Sequence, residues 1–317
     1  MTSTPSRPAR PTVVLGMLTY KRPEDLQVAL PALIDQIERT SYDTSILVVD
    51  NDPEGSAMST AEDFAGSPVR FVHEPTPGIA AARNRVLAEC SDADILIFID
   101  DDERPEPDWL RLMVETWRES GAVAVVGPVI STYPEQPEPW ISEGGFFNRR
   151  RLPTGTELEV AATNNLLLDM AEIRSYGLTF DLEFGASGGS DTLFTREIRR
   201  HGGRMVWCDE AIVVDVVPMS RLTRKWVLQR ALRTGNSWSR TSIALCVDAR
   251  SRLEQRLRLT GLGLARVAGG IGRLGLGLVT RSVRHQANGA RTLARGVGMT
   301  TGAWGYTYIE YRRKKSK

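Results

Sequence analysis

Three consecutive aspartates, Asp100, Asp101 and Asp102, followed at once by Glu103, close the apolar run Ile95–Ile99. Carboxylates crowded at the mouth of such a run repel one another, and a buried charge without a partner costs several kcal/mol. A counter-cation is the economical remedy. Hard divalent ions such as Mg2+ or Mn2+ take carboxylate oxygens and bridge them to a substrate's phosphates. The competing reading is a solvated acidic turn capping the helix after Pro107.

A second group of residues fits phosphate chemistry. Gly78 opens a helical pattern, and with no side chain it lets a ligand approach the backbone and the free N–H groups of the first turn. Arg83 lies about one turn further, on the sheet-facing side, and can offer charge-assisted hydrogen bonds to phosphate or ribose. A surface ion pair with Glu89 or Asp102 is its plainer alternative. His73, His201 and His285 form no cluster with metal-ligand spacing.

The elements that must position these residues follow from the hydrophobic pattern. Short β-branched runs predict strands at Val13–Leu18, Ile46–Asp50, Val69–Val72, Ile95–Ile99 and Val123–Val129, and helical periodicity fits Glu24–Glu38, Ile79–Glu89 and Asp108–Glu119. Such alternation predicts a mostly parallel sheet covered by helices, with its ligand crevice beyond the carboxyl ends of the strands. Residues 131–155, which include Trp140, Phe146 and Phe147, read as a long loop or lid, its aromatics anchoring it or stacking on an acceptor. Beyond it the pattern predicts a strand over Ala161–Leu168, a helix over Asp191–Arg200, a strand pair at Arg204–Trp207 and Ala211–Val214, and a helix from Leu222 to about Ser239.

Composition bounds the possibilities. The 317 residues carry a net charge of +1, but residues 246–317 alone hold a balance of +12, leaving −11 for residues 1–245. Such an acidic domain is a poor nucleic-acid binder and needs cations wherever it holds a phosphate. Three scattered cysteines without a CxxC argue against a disulfide framework or a zinc site and fit a reducing compartment. Residues 1–11 are polar and Pro-rich, without a signal-peptide core, and read as a disordered leader.

Several segments occur in the order found in family-2 glycosyltransferases, which the sequence resembles over about residues 12–245. Thr19-Tyr20-Lys21-Arg22-Pro23 is similar to the family's TYxRP opening, Asp50-Asn51 ends the second strand, Pro77 to Asn84 resembles the GxxxARN helix, and Asp100–Asp102 stands at the DxD position. The resemblance implies a GT-A fold, an α/β Rossmann-like architecture, and an inverting, metal-dependent transfer from a nucleotide-sugar donor, UDP-linked, to a carbohydrate or lipid-linked acceptor. On that basis Thr19, Tyr20, Arg22, Asp50, Gly78, Arg83, Asp100 and Asp101 are expected around the donor, with Asp50 at the base or ribose. Asp102, Asp100 and Asp215 are expected around Mn2+ or Mg2+. Gly188-Gly189-Ser190-Asp191 resembles the GGED segment, which makes Asp191 the general base, although Ser190 replaces the usual Glu. For Asp50 the alternative is a turn residue before Pro53, and for Asp191 a helix N-cap. A sugar nucleotidyltransferase would place a Gly-rich phosphate loop after the first strand, and Leu18 to Pro23 has no glycine; a degenerate binding module draws only on Ser190.

The basic segment 246–317 predicts amphipathic helices. At about 100° per residue Arg252, Arg256, Arg266, Arg273, Arg281, Arg284, Arg291 and Arg295 gather within roughly 100° of arc, with leucines mostly opposite. That pattern suits an anionic membrane surface, hence a cytoplasmic protein held peripherally at the inner face, or else a helical subdomain packed on the catalytic domain. Arginines interrupt every apolar run, which disfavours a transmembrane span. Its many glycines predict a bent or paired helical unit rather than a single rod.

Overall fold

A computed structural model describes residues 7–8 and 10–308. The chain order is β1 (Thr12–Thr19), α1 (Pro23–Glu38), β2 (Asp43–Asp50), β3 (Val69–His73), α2 (Ile79–Glu89), β4 (Ile95–Asp100), β5 (Glu103–Pro105), α3 (Trp109–Ser120), β6 (Ala124–Val126), β7 (Val129–Thr132) and α4 (Pro139–Glu143). Then follow β8 (Asn165–Asp169), α5 (Met170–Tyr176), α6 (Ser190–Arg200), β9 (Met205–Trp207), β10 (Val213–Val216), α7 (Arg224–Ala244), α8 (Ala249–Val279) and α9 (Val283–Ala303). Two compact units emerge. The first comprises Met1–Ile130, Arg149–Leu182 and Phe194–Asp215, and the second Ser131–Asn148, Glu183–Leu193 and Val216–Lys317.

The first unit is built on a seven-stranded sheet ordered β3-β2-β1-β4-β8-β6-β9. Only β8 runs antiparallel to its neighbours, so the expected mostly parallel sheet is present. β4 is buried along its apolar run and pairs with β1 so that Leu18 stands opposite Asp100. The central strands thus end together, which brings the Thr19 and Asp100 segments to one edge.

Some expectations need correction. Val123–Val129 is not one strand: it breaks at Gly127-Pro128, where a Cβ on Gly127 would lie 2.2 Å from the Ala211 carbonyl and 2.3 Å from Asn165 Nδ2. The Ala161–Leu168 strand starts only at Asn165, because Ala161 exchanges hydrogen bonds with the Thr195 hydroxyl instead of a neighbouring strand. Arg204–Trp207 and Ala211–Val214 do not pair with each other. β9 joins β6 in parallel, while β10 runs antiparallel to β5. Most of the leader expected to be disordered lies outside the described residues, but Arg7 is fastened, donating to the Ala122 carbonyl and Asp169 and stacking over Trp117.

In the second unit, residues 131–148 form no free lid. Trp140, Ile141 and Phe147 are buried in a cluster with Val217, Val227 and Ala287, so these aromatics anchor the segment. α8 and α9 pack as a hairpin through glycines at heptad spacing: Gly263, Gly270 and Gly277 on one helix, Gly289 and Gly296 on the other. Here lies the reason for the glycines that weaken each helix, and the expected paired unit is what forms. A Cβ at Gly270 would sit 2.6 Å from the Leu293 amide nitrogen, whereas one at Gly269 meets nothing within 4 Å. The outward face of α8 exposes Leu253, Leu257, Leu264, Ile271, Leu278 and Val279. Contrary to expectation, α8 is long and apolar enough to cross a membrane by length and composition.

The two adjacent glycines provide a matched test of this packing. Gly269→Ala should stabilise the protein by about 0.5–1 kcal/mol through helix propensity, while Gly270→Ala should destabilise it by about 1–3 kcal/mol through overpacking. Denaturant titration of both variants measures the difference, and equal effects would show that the seam is not closed at Gly270.

Candidate active site

The end of β1 fixes the acidic motif. Lys21 turns the chain with a left-handed φ of 56°, a conformation that non-glycine residues adopt at a cost. Thr19 Oγ1 donates to Asp101 Oδ2 at 2.9 Å, and one Arg22 nitrogen, Nη1, donates both to Asp101 Oδ1 at 2.9 Å and to Asp102 Oδ2 at 3.1 Å. Asp101 is only 5% exposed. It is therefore held by its own protein neighbours, and Arg22 acts on the carboxylates directly. Tyr20 is exposed, with Lys21 Nζ 5.8 Å from its ring centroid.

Behind the aspartates lies Glu103, which the sequence reading did not assign. It is 2% exposed; its Oε2 accepts from the Asp100 amide at 3.1 Å and its Oε1 from Asn164 Nδ2 at 2.9 Å. The β10–β5 register sets Asp215 directly across from Glu103, so the separate Asp215 joins the cluster through a strand pairing. Arg149 Nη2 approaches Asp215 Oδ2 at 3.4 Å. Burial raises Asp100 to about 7, aided by Asp102, Asp101 and Asp215 and opposed by Arg83. Asp101 rises to about 6 for the same first reason, while Arg22 pulls it down, and Glu103 is held well above the usual carboxylate range by burial and Asp100.

The opposing influence of Arg83 places that guanidinium within electrostatic reach of Asp100. It is buried and lies over the Phe180 ring at 5.4 Å, and Asn84 exchanges two hydrogen bonds with the Phe180 backbone. Glu89 is engaged by Arg70 and Arg85.

Asp50 has a different position from the one expected for a residue touching ligand. It is 0% exposed, and its two oxygens accept from the Asp52 amide at 2.9 Å and the Ala57 amide at 2.7 Å. Its observed work is to fold the 51–57 turn. The neighbouring Asn51, which carried no assignment, clamps the next loop: Nδ2 donates to the Glu74 and Thr76 carbonyls at 2.8 and 2.7 Å, and Oδ1 accepts from the Gly78 amide at 3.1 Å. Gly78 has φ 122°, ψ 143° at the start of α2, a conformation reserved for glycine. An amide ending a strand beside an Asp was the available signal for Asn51.

Asp191 belongs to the second unit, in the first turn of α6, and is half-buried. Its Oδ1 accepts from the Thr192 amide at 2.7 Å. The preceding turn depends on glycine: Gly188 and Gly189 have φ of 74° and 101°, and a Cβ on Gly189 would stand 3.2 Å from both Ser237 and Thr241 of α7. Arg240 of α7 donates to Ser187 Oγ and lies over Phe184 at 4.6 Å. α7 is thus the platform for the loop that presents Asp191. Ser190 is buried.

Among the described residues, no group of three or more His, Cys, Asp or Glu side chains is arranged to hold an ion. Asp102, Asp100 and Asp215 therefore do not form a closed three-carboxylate cage, because Arg22 draws on Asp102 and Arg149 on Asp215. What exists is an oxygen-only acidic cluster that is strained by its own charge.

Two outcomes follow from this electrostatic arrangement. Asp100 binds its proton up to about 7 in the folded state against an ordinary 3.8, so metal-free protein loses stability between those values and none beyond. Asp100→Asn should therefore gain on wild type as pH rises through that window, reaching on the order of 4 kcal/mol; thermal unfolding from pH 4 to 8 reads it, and a pH-independent gain would contradict the burial argument. Asn51→Ala should free the 74–78 loop and lower stability by about 1–2 kcal/mol, the usual net value of one or two buried hydrogen bonds, with denaturant titration as the measure.

The sequence matches the Glycosyl transferase family 2 pattern over residues 15–172. It is 34% identical over 229 residues to the succinoglycan biosynthesis protein ExoM of Rhizobium meliloti, covering 71% of this chain and 74% of that one. It is also 29% identical over 171 residues to the glycosyltransferase AglE of Haloferax volcanii, covering 53% and 55%. Among solved structures, GalNAc-T7 with UDP, GalNAc and Mn2+ aligns with a TM-score of 0.54 at 12% identity over 78% of this chain, which spans only 55% of that one. S. aureus TarS 1-349 in complex with UDP-GlcNAc aligns with a TM-score of 0.51 at 13% identity, covering 87% and 89%. At such identities the structures speak for the fold alone, and that fold is GT-A, carried here with a C-terminal helical extension. Relationship to ExoM and the family match, resting on the motifs whose geometry is described above, establish that this chain belongs to glycosyltransferase family 2.

Proposed function

We propose that this glycosyltransferase moves one sugar, with inversion, from a UDP-linked nucleotide-diphosphate donor to a carbohydrate or lipid-linked acceptor in the biosynthesis of an envelope polysaccharide, working at the cytoplasmic face of the membrane. The observation that carries the reading is the Asp100–Asp102 cluster, with Asp215 brought to it by strand register and Arg83 acting on Asp100. ExoM's role in succinoglycan biosynthesis supports the polysaccharide, and the UDP of GalNAc-T7 and UDP-GlcNAc of TarS support the donor class.

The cluster fits a divalent cation of the Mg2+ or Mn2+ type. Such ions bind through one or two carboxylates and complete their shell with water and substrate phosphates, which agrees with a cluster that does not close on three side chains. When bound, the ion supplies positive charge against the diphosphate leaving group. Asp102 and Asp100 hold it in this reading, with Asp215 as the third acid nearby. Asp101 stays with Thr19 and Arg22 and keeps the β1 end in place. Arg83 and the N–H groups at Gly78 receive phosphate oxygens. Asp50 serves the base or ribose through the turn it folds, with Tyr20 exposed beside it.

Asp191 takes the proton from the acceptor hydroxyl as that oxygen bonds to C1 of the sugar from the face opposite the diphosphate. The C1–oxygen bond to the diphosphate breaks, and its electron pair leaves with UDP. Residues 246–317 hold the protein at an anionic bilayer, within reach of a lipid-linked acceptor.

Two substitutions separate these roles. Asp191→Asn should lower transfer by about 10²–10⁴-fold while leaving UDP binding in the presence of Mn2+ intact. Asp102→Asn should weaken both. Turnover assays and calorimetric titration with UDP and Mn2+ measure the pair, and unchanged turnover in both variants would remove the mechanism; binding without turnover in the wild type would point to a non-catalytic module.

A further inference from the structure

The α8–α9 hairpin gathers positive charge where a soluble helix pair would avoid it. Arg266 of α8 lies against the seam, for a Cβ on Gly296 of α9 would be 2.9 Å from its own Cβ. Arg295, the residue before Gly296, is half-buried, and its Nε is shielded from solvent without an acceptor. One helical turn earlier on α9, Arg291 donates from Nη1 to the Gly145 carbonyl at 3.2 Å and lies over Phe146 at 5.6 Å. Burial lowers both Arg291 and Arg295 from the ordinary arginine range, and Arg266 and Arg291 lower Arg295 further. Among the described residues no carboxylate pairs with any of the three. Three of the second unit's acids are engaged elsewhere: Glu138 with Arg224, Glu254 with Arg250, and Asp248 in capping α8.

Half-buried Arg295, repelled by both Arg266 and Arg291, is a guanidinium that an anion would complete. Arginine's planar fork matches tetrahedral oxyanions. The geometry points to a phosphate-binding site formed by Arg266, Arg291 and Arg295 on the α8–α9 hairpin. It sharpens the proposed membrane contact into a specific site and does not depend on the transfer chemistry. The phosphate belongs either to a lipid headgroup or to a free phosphoryl ligand.

The test uses the full chain in metal-free buffer, so that the acidic cluster does not report. Wild type, Arg266→Gln/Arg295→Gln, and the exposed-arginine control Arg258→Gln/Arg273→Gln are compared by thermal shift with inorganic diphosphate and by flotation with phosphatidylglycerol or phosphatidylcholine vesicles. The site variant should lose about thirtyfold in affinity for the anionic ligand, and the control should lose clearly less. Without anion, the site variant should melt at or above the wild-type temperature, because a repulsion is relieved; this separates loss of binding from loss of fold. Loss of vesicle binding alone identifies the lipid source, and loss of the diphosphate shift alone the free ligand. Equal losses in site variant and control, or no loss in either assay, would overturn the site, whatever the outcome of the turnover assays.

Discussion

Like charges forced together at the end of β4 are the constraint around which the first unit is arranged. Asp100, Asp101, Asp102 and Glu103 follow a strand with no polar residue in its interior, and Asp215 is added from across a strand pair. Water alone does not relieve them, since Asp101 and Glu103 are buried. Their relief comes from Thr19 and Arg22 at the end of β1 and from Asn164 and Arg149, delivered by two other segments. The relief is incomplete, as the raised Asp100 and Glu103 show. A cluster left short of positive charge has affinity for a cation in reserve, and that reserve is what a cation-bridged diphosphate would use.

The same economy explains the support at the end of β2. Asp50 and Asn51 end β2 and spend their polar atoms on backbone groups of two successive loops. Charge-assisted bonds to backbone N–H fix a loop more firmly than packing alone. A site on loops thereby gains the rigidity of the strands it follows, and Gly78 can hold a backbone angle that would otherwise be costly.

What could be read from the sequence was what is local. The helix expected at Ile79–Glu89 is α2 to the residue, and the acidic motif falls at the strand end where the apolar run stops. Partners distant in the chain were hidden. The strands near residues 204 and 214 were legible as strands, yet periodicity does not say that β9 joins β6 while β10 joins β5, and it is this non-local choice that brings Asp215 to Glu103. Asp50 was legible as important, but its direction was not: whether a carboxylate faces ligand or its own backbone depends on the following turn. The tail shows the same limit, because a helical wheel gives the arc of the arginines but not which arc faces a partner.

That last ambiguity has a physical resolution. In a hairpin made for water, the seam takes leucines and the outer face takes arginines. α8 departs from this: glycines and Arg266 line the seam, while leucines face outward and share the exposed surface with arginines such as Arg258 and Arg273. Heptad glycines bring the two backbones together without large side chains, so the leucines are not needed for helix pairing and are left available to an apolar phase. An exposed row of that length is a liability in water, whereas on a bilayer such a row would serve as an adhesive face. In the proposed reading, acidic residues 1–245 and the basic tail would separate two tasks by charge, the one attracting cations and the other phosphates.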